Sequence, residues 1–474
     1  MTQELAAKSI GELAPLLKDK EISPIELTEA VLQNVERYDG QVNAYIEIQA
    51  DQARQAAQTA ESEMTNGQYR GPLHGIPMAL KDILYFNGET ATMGSEIHRH
   101  FVPEFDATVV AKLKSAGVVF TGKLNMHEYA WGATTTNPHF GACKNPWDLS
   151  KIPGGSSGGS GAAVAADMAI ASLGTDTGGS IRIPAASCGI IGLKPTHGRI
   201  SKFGCFPLAW SLDHIGPMTK TVHDAALLLE TLAGYDPKDP TSVNKPARSY
   251  STLLSEDLKG EVVGIDEDYF FRNVDKRVDE AVRQALSELE KLGARIEPVK
   301  IPSLAQSEYA ELVTITSEAS AIHHKNLLEH PDKFGDDTRF LLEFGELVTA
   351  VDYLQAQQIR RKLNNDFAQV FKRVDVLISP TLPFLPPPIG DSTVDINGQV
   401  LSFLDEVIRF TGPGNLTGLP ALSIPCGVRD GLPVGLQIMG PAFEEEKVLN
   451  VAYALEKLQL MKGQKPELVK TASL

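Results

Sequence analysis

Cysteine is scarce in this chain of 474 residues, and the four present, Cys143, Cys188, Cys205 and Cys426, lie far apart with no C-x-x-C pair. That spacing excludes a disulfide framework and a cysteine-held zinc site, so the thiols are expected to be reduced. Long apolar runs are missing as well. The most apolar stretch, residues 161–173, is broken by Asp167 and falls well short of the roughly 20 residues that span a bilayer. The N-terminus has no basic start leading into an apolar run, so a soluble, cytoplasmic protein with no membrane contact is expected. Basic residues are outnumbered, 44 against 60 acidic, for a formal charge of −16. A surface that tracks phosphates would have to be a local exception, and nucleic acid is not expected as a partner. The histidines are scattered, and the adjacent pair His323 and His324 cannot face one ligand on a regular helix or strand. No metal, nucleotide or organic cofactor is expected.

What is present is enough apolar residue, 42%, for a large core. Ser23-Pro24-Ile25-Glu26 is a capping box with proline at the first helical position, and Leu27, Val31, Val35 and Tyr38 follow at helical spacing, predicting a helix from about Pro24 to Tyr38. Asp106 as cap, Val109, Val110 and Leu113 as buried face and Gly117 as stop predict a second helix, followed by an apolar strand at 118–120. Helical patterning returns at 222–232 and 278–292, and strand patterning at 374–379. The segments 421–426 and 434–439 flank an Arg429-Asp430-Gly431 turn, a hairpin signal. Helices interleaved with short apolar strands predict an α/β fold: a large mixed, mostly parallel twisted sheet covered on both faces by helices, with at least one antiparallel edge. The proline-rich stretch 381–388 reads as a surface loop.

The densest anomaly is Gly154-Gly155-Ser156-Ser157-Gly158-Gly159-Ser160-Gly161. A flexible linker fits poorly, because an alanine-rich helical stretch begins at Ala162 and an apolar strand follows at 169–174. A tight loop opening a helix gathers unpaired N–H groups and small side chains in one place. The strand then enters a second such turn, Thr175-Asp176-Thr177-Gly178-Gly179-Ser180-Ile181-Arg182, whose successive N–H groups could form a nest for an oxyanion beside Ser180. Other motifs compete. Residues 154–158 match G-x-S-x-G, with His197, His214 and His223 downstream as bases. Asp176-Thr177-Gly178 looks like half of a paired-carboxylate site, with Asp391-Ser392-Thr393 a poor second half. The phosphate-binding P-loop lysine is absent. A third segment, Gly75-Ile76-Pro77-Met78-Ala79-Leu80-Lys81-Asp82, is a strand ending in lysine. A buried neutral amine there could take the proton a serine must lose to attack a carbonyl.

Together these segments resemble the amidase signature family. The motifs stand as 75–82, 153–160 and 176–185, followed by Cys188-Gly189-Ile190-Ile191-Gly192-Leu193-Lys194-Pro195-Thr196, with 75 residues from Lys81 to Ser156 and 24 from Ser156 to Ser180. The resemblance implies one domain over 1–474, with a signature core at about 70–230 and 405–460 and a variable, substrate-facing region at about 235–400. It implies a Ser–cisSer–Lys triad with Lys81 as base, Ser156 as relay after a cis peptide bond, and Ser180 as the nucleophile that forms an acyl-enzyme. Thr177, Gly178 and Gly179 would supply the oxyanion hole; Ser157, Ser160, Asp176 and Arg182 would support it; Met126, Tyr129 and Trp131, with side chains from 312–346, would line the substrate pocket. A neutral Lys81 requires its pKa to fall by about three pH units, about 4 kcal/mol, through desolvation.

The implied activity is hydrolysis of a small-molecule amide, an acylamide amidohydrolase reaction, extending to anilides or carbamates (a urethanase side activity). A homodimer is admitted as an assembly. The alternative is the A subunit of glutamyl-tRNA(Gln) amidotransferase, a glutaminase with partner subunits, which residues 236–242 and 410–426 also resemble. Two departures count against it. The segment 334–366 is shorter and lacks an arginine-rich run, and Ile408 stands where that subunit has the acidic residue that helps hold glutamine.

Overall fold

A computed structural model of the protein describes residues 2–470. Its centre is a mixed sheet of eleven strands: β1 (Tyr45–Ile48), β2 (Pro77–Lys81), β3 (Val119–Leu124), β4 (Ala171–Asp176), β5 (Ile191–Lys194), β6 (His214–Thr219), β7 (Val262–Ile265), β8 (Arg295–Pro298), β9 (Val376–Pro380), β10 (Ala421–Arg429) and β11 (Leu432–Met439). Their order across the sheet is β1-β3-β2-β4-β6-β5-β10-β11-β9-β7-β8. The large mixed sheet expected from the sequence is therefore present, and its parallel pairs form two blocks. β2 lies parallel to β3 and β4, and β7 lies parallel to β8 and β9. Antiparallel pairings join the blocks, among them the β10–β11 hairpin. That hairpin turns at Asp430 and Gly431, φ 49° and 78°, the two left-handed residues a tight hairpin turn requires.

The helices that matter for the site are α1 (Pro24–Val42), α2 (Thr108–Ser115), α3 (Gly158–Ala165), α4 (Arg182–Cys188), α5 (Val222–Leu232), α6 (Lys276–Lys291), α7 (Ser307–Glu329), α8 (Asp336–Glu346), α9 (Phe403–Val407) and α10 (Gly412–Thr417). The predicted capping box of α1 forms as expected, but the helix runs on past Tyr38 to Asn43, whose left-handed backbone at φ 57° ends it. α5 has the predicted bounds and is capped by Thr221. α2 starts at Thr108 without a side-chain cap. Asp106, the expected cap, instead accepts from the Asn87 N–H and holds the Lys114 ammonium at 2.7 Å.

The stretch 381–388 is not a surface loop. Residues 381–387 are buried, and Leu382 and Phe384 join a cluster with Ile152, Ile183, Ala186 and Phe403. Proline explains the difference, because a residue without an N–H can be buried without orphaning a donor. The exposed carbonyls are used: Pro383 accepts from the Asp275 N–H at 2.9 Å and Pro387 from the Ile152 N–H at 3.1 Å. Among the described residues no helix is long and apolar enough to cross a membrane. Phe384→Ala should lower stability by about 3–5 kcal/mol, as measured by urea unfolding; a loop lying on the surface would lose a few tenths.

Candidate active site

Two parallel neighbours, β2 and β4, end at the same edge of the sheet, in register from Met78 opposite Ala171 to Leu80 opposite Leu173. The ends of parallel strands are where open α/β sheets place ligands. Here they bring Lys81 beside Thr175. The third contributor is the loop that opens α3, where the peptide bond between Gly155 and Ser156 is cis. A Cβ on Gly174 of β4 would lie 2.9 Å from the Ser157 hydroxyl, so only glycine lets this loop settle onto the strand. The Lys81 amine then reaches three hydroxyls: Ser156 at 2.7 Å, Ser157 at 2.9 Å and Thr175 at 2.7 Å.

Lys81 is fully buried, and among the described residues it makes no ion pair. Lys123, one strand away, is equally buried but faces Asp82 at 4.0 Å. Removal from water penalises the charged form, and burial takes the Lys81 amine from an ordinary 10.5 down to about 7, with Cys205, Asp176 and Asp213 opposing only weakly. Ser157 donates to the Thr175 carbonyl at 3.2 Å, so its proton is committed and it receives the lysine N–H.

Ser180 follows β4 in the turn before α4. Among the described residues the backbone N–H groups of 177–180 have no acceptor within the chain, and the Ser180 hydroxyl opens onto a cavity. The turn is pinned from below. Arg182 grips Asp176 with two bonds, Nε to Oδ2 at 3.0 Å and Nη2 to Oδ1 at 2.8 Å, both side chains fully buried. The same guanidinium donates to Thr411 O, Asn415 Oδ1 and Gln437 Oε1. Burial raises the Asp176 carboxyl, yet Arg182 more than offsets it and holds the group at about 2. Asp176 also accepts from the Ile181 N–H at 3.1 Å, which fixes the residue after Ser180.

The cavity above Ser180 has a volume of about 260 Å³; Thr177, Gly178 and Ser180 form its floor, and Trp131, Leu312, Ile315, Leu341, Val407 and Ile408 its walls. Its charged lining residues are Glu308 and Asp405, both carboxylates at exposed positions. Of the side chains expected to line the pocket, Trp131 does, as do Leu312, Ile315 and Leu341 from the 312–346 segment. Met126 and Tyr129 do not: both are fully enclosed in the core, and the Tyr129 hydroxyl meets His98 Nδ1 at 2.7 Å. Ser160 donates to the Leu173 carbonyl at 3.1 Å and ties α3 to β4.

The competing motifs come apart. His214 is buried with its ring against Leu212 O and Lys194, His197 meets Lys202, and His223 lies beside Gly11, so the hydroxyl of Ser156 is served by lysine. The carboxylate of Asp176 faces an arginine, whereas Asp391 is exposed. Among the described residues no cluster of His, Cys, Asp and Glu could hold a metal ion. Sequence reasoning overlooked Thr175, Asp213, Thr411, Asn415 and Gln437. Thr175 adjoins a recognised motif and was within reach. Asp213 accepts from Thr177 at 2.7 Å and Thr411 donates to Gly178 O at 2.6 Å, contacts no local pattern announces.

The family model for Amidase matches residues 26–449. The chain belongs to the amidase family. It is similar along its length to the A subunit of the glutamyl-tRNA(Gln) amidotransferase of Geobacillus kaustophilus (strain HTA426), with 40% identity over 484 residues, covering 97% of this chain and 99% of that one. It is similar in structure to a bacterial aryl acylamidase of the amidase signature enzymes, at a TM-score of 0.87 and 28% identity, covering 95% and 96% of the two chains. A 6-aminohexanoate cyclic dimer hydrolase solved with its substrate also superposes at 0.87, with 28% identity and 98% and 99% coverage. This amidase is thus a hydrolase of carbon–nitrogen bonds. Arg182→Met would leave the Asp176 carboxylate buried and unpaired, and should lower the stability of this amidase by about 3–5 kcal/mol in equilibrium denaturation.

Proposed function

We propose that this amidase acts on its own as a serine hydrolase of carboxamides, extending to anilides and carbamates, with Ser180 as nucleophile, Ser156 as relay and Lys81 as base. The observation that carries the reading is the buried Lys81 amine at 2.7 Å from the Ser156 hydroxyl. A neutral amine has two N–H bonds and one lone pair. Ser157 and Thr175 take the two N–H bonds, so the lone pair is left for the Ser156 proton. Ser156 in turn accepts the proton of Ser180 as that oxygen attacks the substrate carbonyl. The oxyanion is received by N–H groups from Thr177 to Ser180. Return of the proton through Ser156 to the leaving nitrogen breaks the carbon–nitrogen bond, and water repeats the cycle on the acyl-enzyme. Asp176, locked by Arg182, holds the turn rather than the proton.

The glutaminase of a multi-subunit amidotransferase is the second reading, and the relatives support it more strongly than they support a free-standing enzyme, since the likeness at 40% identity runs end to end. What supports the free-standing reading is the chemistry of the cavity. Among the described residues its lining contains no lysine, arginine or histidine, it carries Glu308 and Asp405, and Ile408 forms part of its wall. A carboxylate such as that of glutamine finds no cationic partner there, and two negative charges oppose it. An apolar acyl or aryl group fits the walls.

Incubating the purified chain with acyl anilides, aryl carbamates and glutamine tests the choice. Turnover of anilides or carbamates by the isolated chain is expected; release of ammonia from glutamine only in the presence of partner subunits would establish the second reading. Because the base must be uncharged, kcat/KM should rise with pH through about 7 and level off above it. Lys81→Met should keep the fold and lose acylation by at least about 10³-fold, so unchanged activity in that variant rejects the triad.

A further inference from the structure

The pocket-facing side of α7 carries Glu308, Leu312 and Ile315, all in the cavity lining. Glu311 falls in the same stripe, since residues three and four apart share one helix face. It is 1% exposed, and among the described residues neither of its carboxyl oxygens has a hydrogen-bond partner. Orphaned buried polar atoms are rare in folded proteins and call for a functional account. Two glycines make room for this one. The place a Cβ on Gly178 would occupy lies 3.3 Å from Glu311 Oε1 and 3.4 Å from Ile408 Cγ2, and a Cβ on Gly412 would lie 3.3 Å from Glu311 Cγ. Glu311 Oε1 therefore lies against the bare face of Gly178, and a donor nitrogen seated over that face comes within its reach once Ile408, only partly buried in the cavity wall, gives slightly. Gly178 belongs to the turn that receives the oxyanion, so a nitrogen seated over it is one or two carbons from a carbonyl at Ser180.

We infer that Glu311 is a specificity-determining residue that binds an amine carried on the acyl chain of the substrate, one or two carbons from the scissile carbonyl. The inference rests on Ser180 being the nucleophile. Burial raises the Glu311 carboxyl well above the usual carboxylate range, Arg360 and Arg182 offsetting part of the effect, which favours the neutral acid in the empty pocket. Those arginines are already engaged, Arg182 with Asp176 and Arg360 with the Leu416 and Ser211 carbonyls. When an ammonium enters, Glu311 gives up its proton to water and the resulting pair is neutral overall. The carboxylates of Glu308 and Asp405 and the absence of any cation in the lining favour the approach of a positive group.

The test compares p-nitroanilides of alanine and β-alanine with that of propionic acid, which differ from it only by the amino group, using the full chain. At least one aminoacyl anilide should exceed the propionyl compound by about 10-fold or more in kcat/KM. Glu311→Leu should abolish that ratio, and the isosteric Glu311→Gln, which keeps an acceptor but cannot carry the charge, should reduce it. An equal ratio in all three proteins, or a preference for propionyl in the wild type, overturns the inference. Calorimetric binding of alaninamide and β-alaninamide to Ser180→Ala protein gives a second readout independent of turnover. For at least one of them, affinity should be about 10-fold or more weaker when Glu311→Leu is added, and unchanged affinity for both overturns the inference. Failure of all three anilides in wild type while alaninamide still binds through Glu311 would count against the proposed nucleophile instead.

Discussion

The site depends on an amine that has been taken out of water and given no counter-ion. Every other feature follows from keeping Lys81 in that condition. Three hydroxyls surround it at hydrogen-bond distance, which satisfies its polar atoms without supplying negative charge. A carboxylate in the place of Thr175 would favour the cation over the neutral amine. Its neighbour Lys123 on the next strand is equally buried and the pKa of its amine is lowered by burial too, but there Asp82 at 4.0 Å opposes the shift. The same sheet thus holds one buried lysine beside a carboxylate and another surrounded by hydroxyls.

The second constraint is rigidity under Ser180, the proposed nucleophile. Four residues from three elements converge on the Arg182 guanidinium: Asp176 at the end of β4, Thr411 and Asn415 at the start and middle of α10, and Gln437 of β11. A planar donor fork matches this arrangement, and a lysine could not. Preorganised groups act on a developing charge without reorganising at the moment of reaction. Holding the turn from behind leaves its N–H groups facing the cavity.

Much of this was legible in the residues. Lys81, Ser156, Ser180, Asp176 and Arg182 lie within compact motifs; Lys81 meets Ser156 and Arg182 meets Asp176, with Ser180 in the turn between the last two. The capping box at Ser23, the hairpin at Asp430 and Gly431, and α5 were readable because each is a local pattern. What stayed hidden was set by distant packing. Met126 and Tyr129 neighbour Trp131 in sequence, but left-handed backbone at Tyr129 and Ala130, φ 50° and 60°, redirects the chain, so only Trp131 of the three faces the cavity. The proline-rich stretch looked exposed because prolines are common in loops, while its missing donors suit the interior equally well. Glu311 gives no signal in sequence, being one acid on a long helix.

The clamp on Arg182 also bears on how the chain is made. Apart from Asp176, its partners stand 229 to 255 positions further on, so the turn around Ser180 cannot be fully clamped while the ribosome still holds the last strands. Contacts of such separation form late and slowly. A nascent chain therefore carries the turn around Ser180 unclamped until its synthesis is nearly complete.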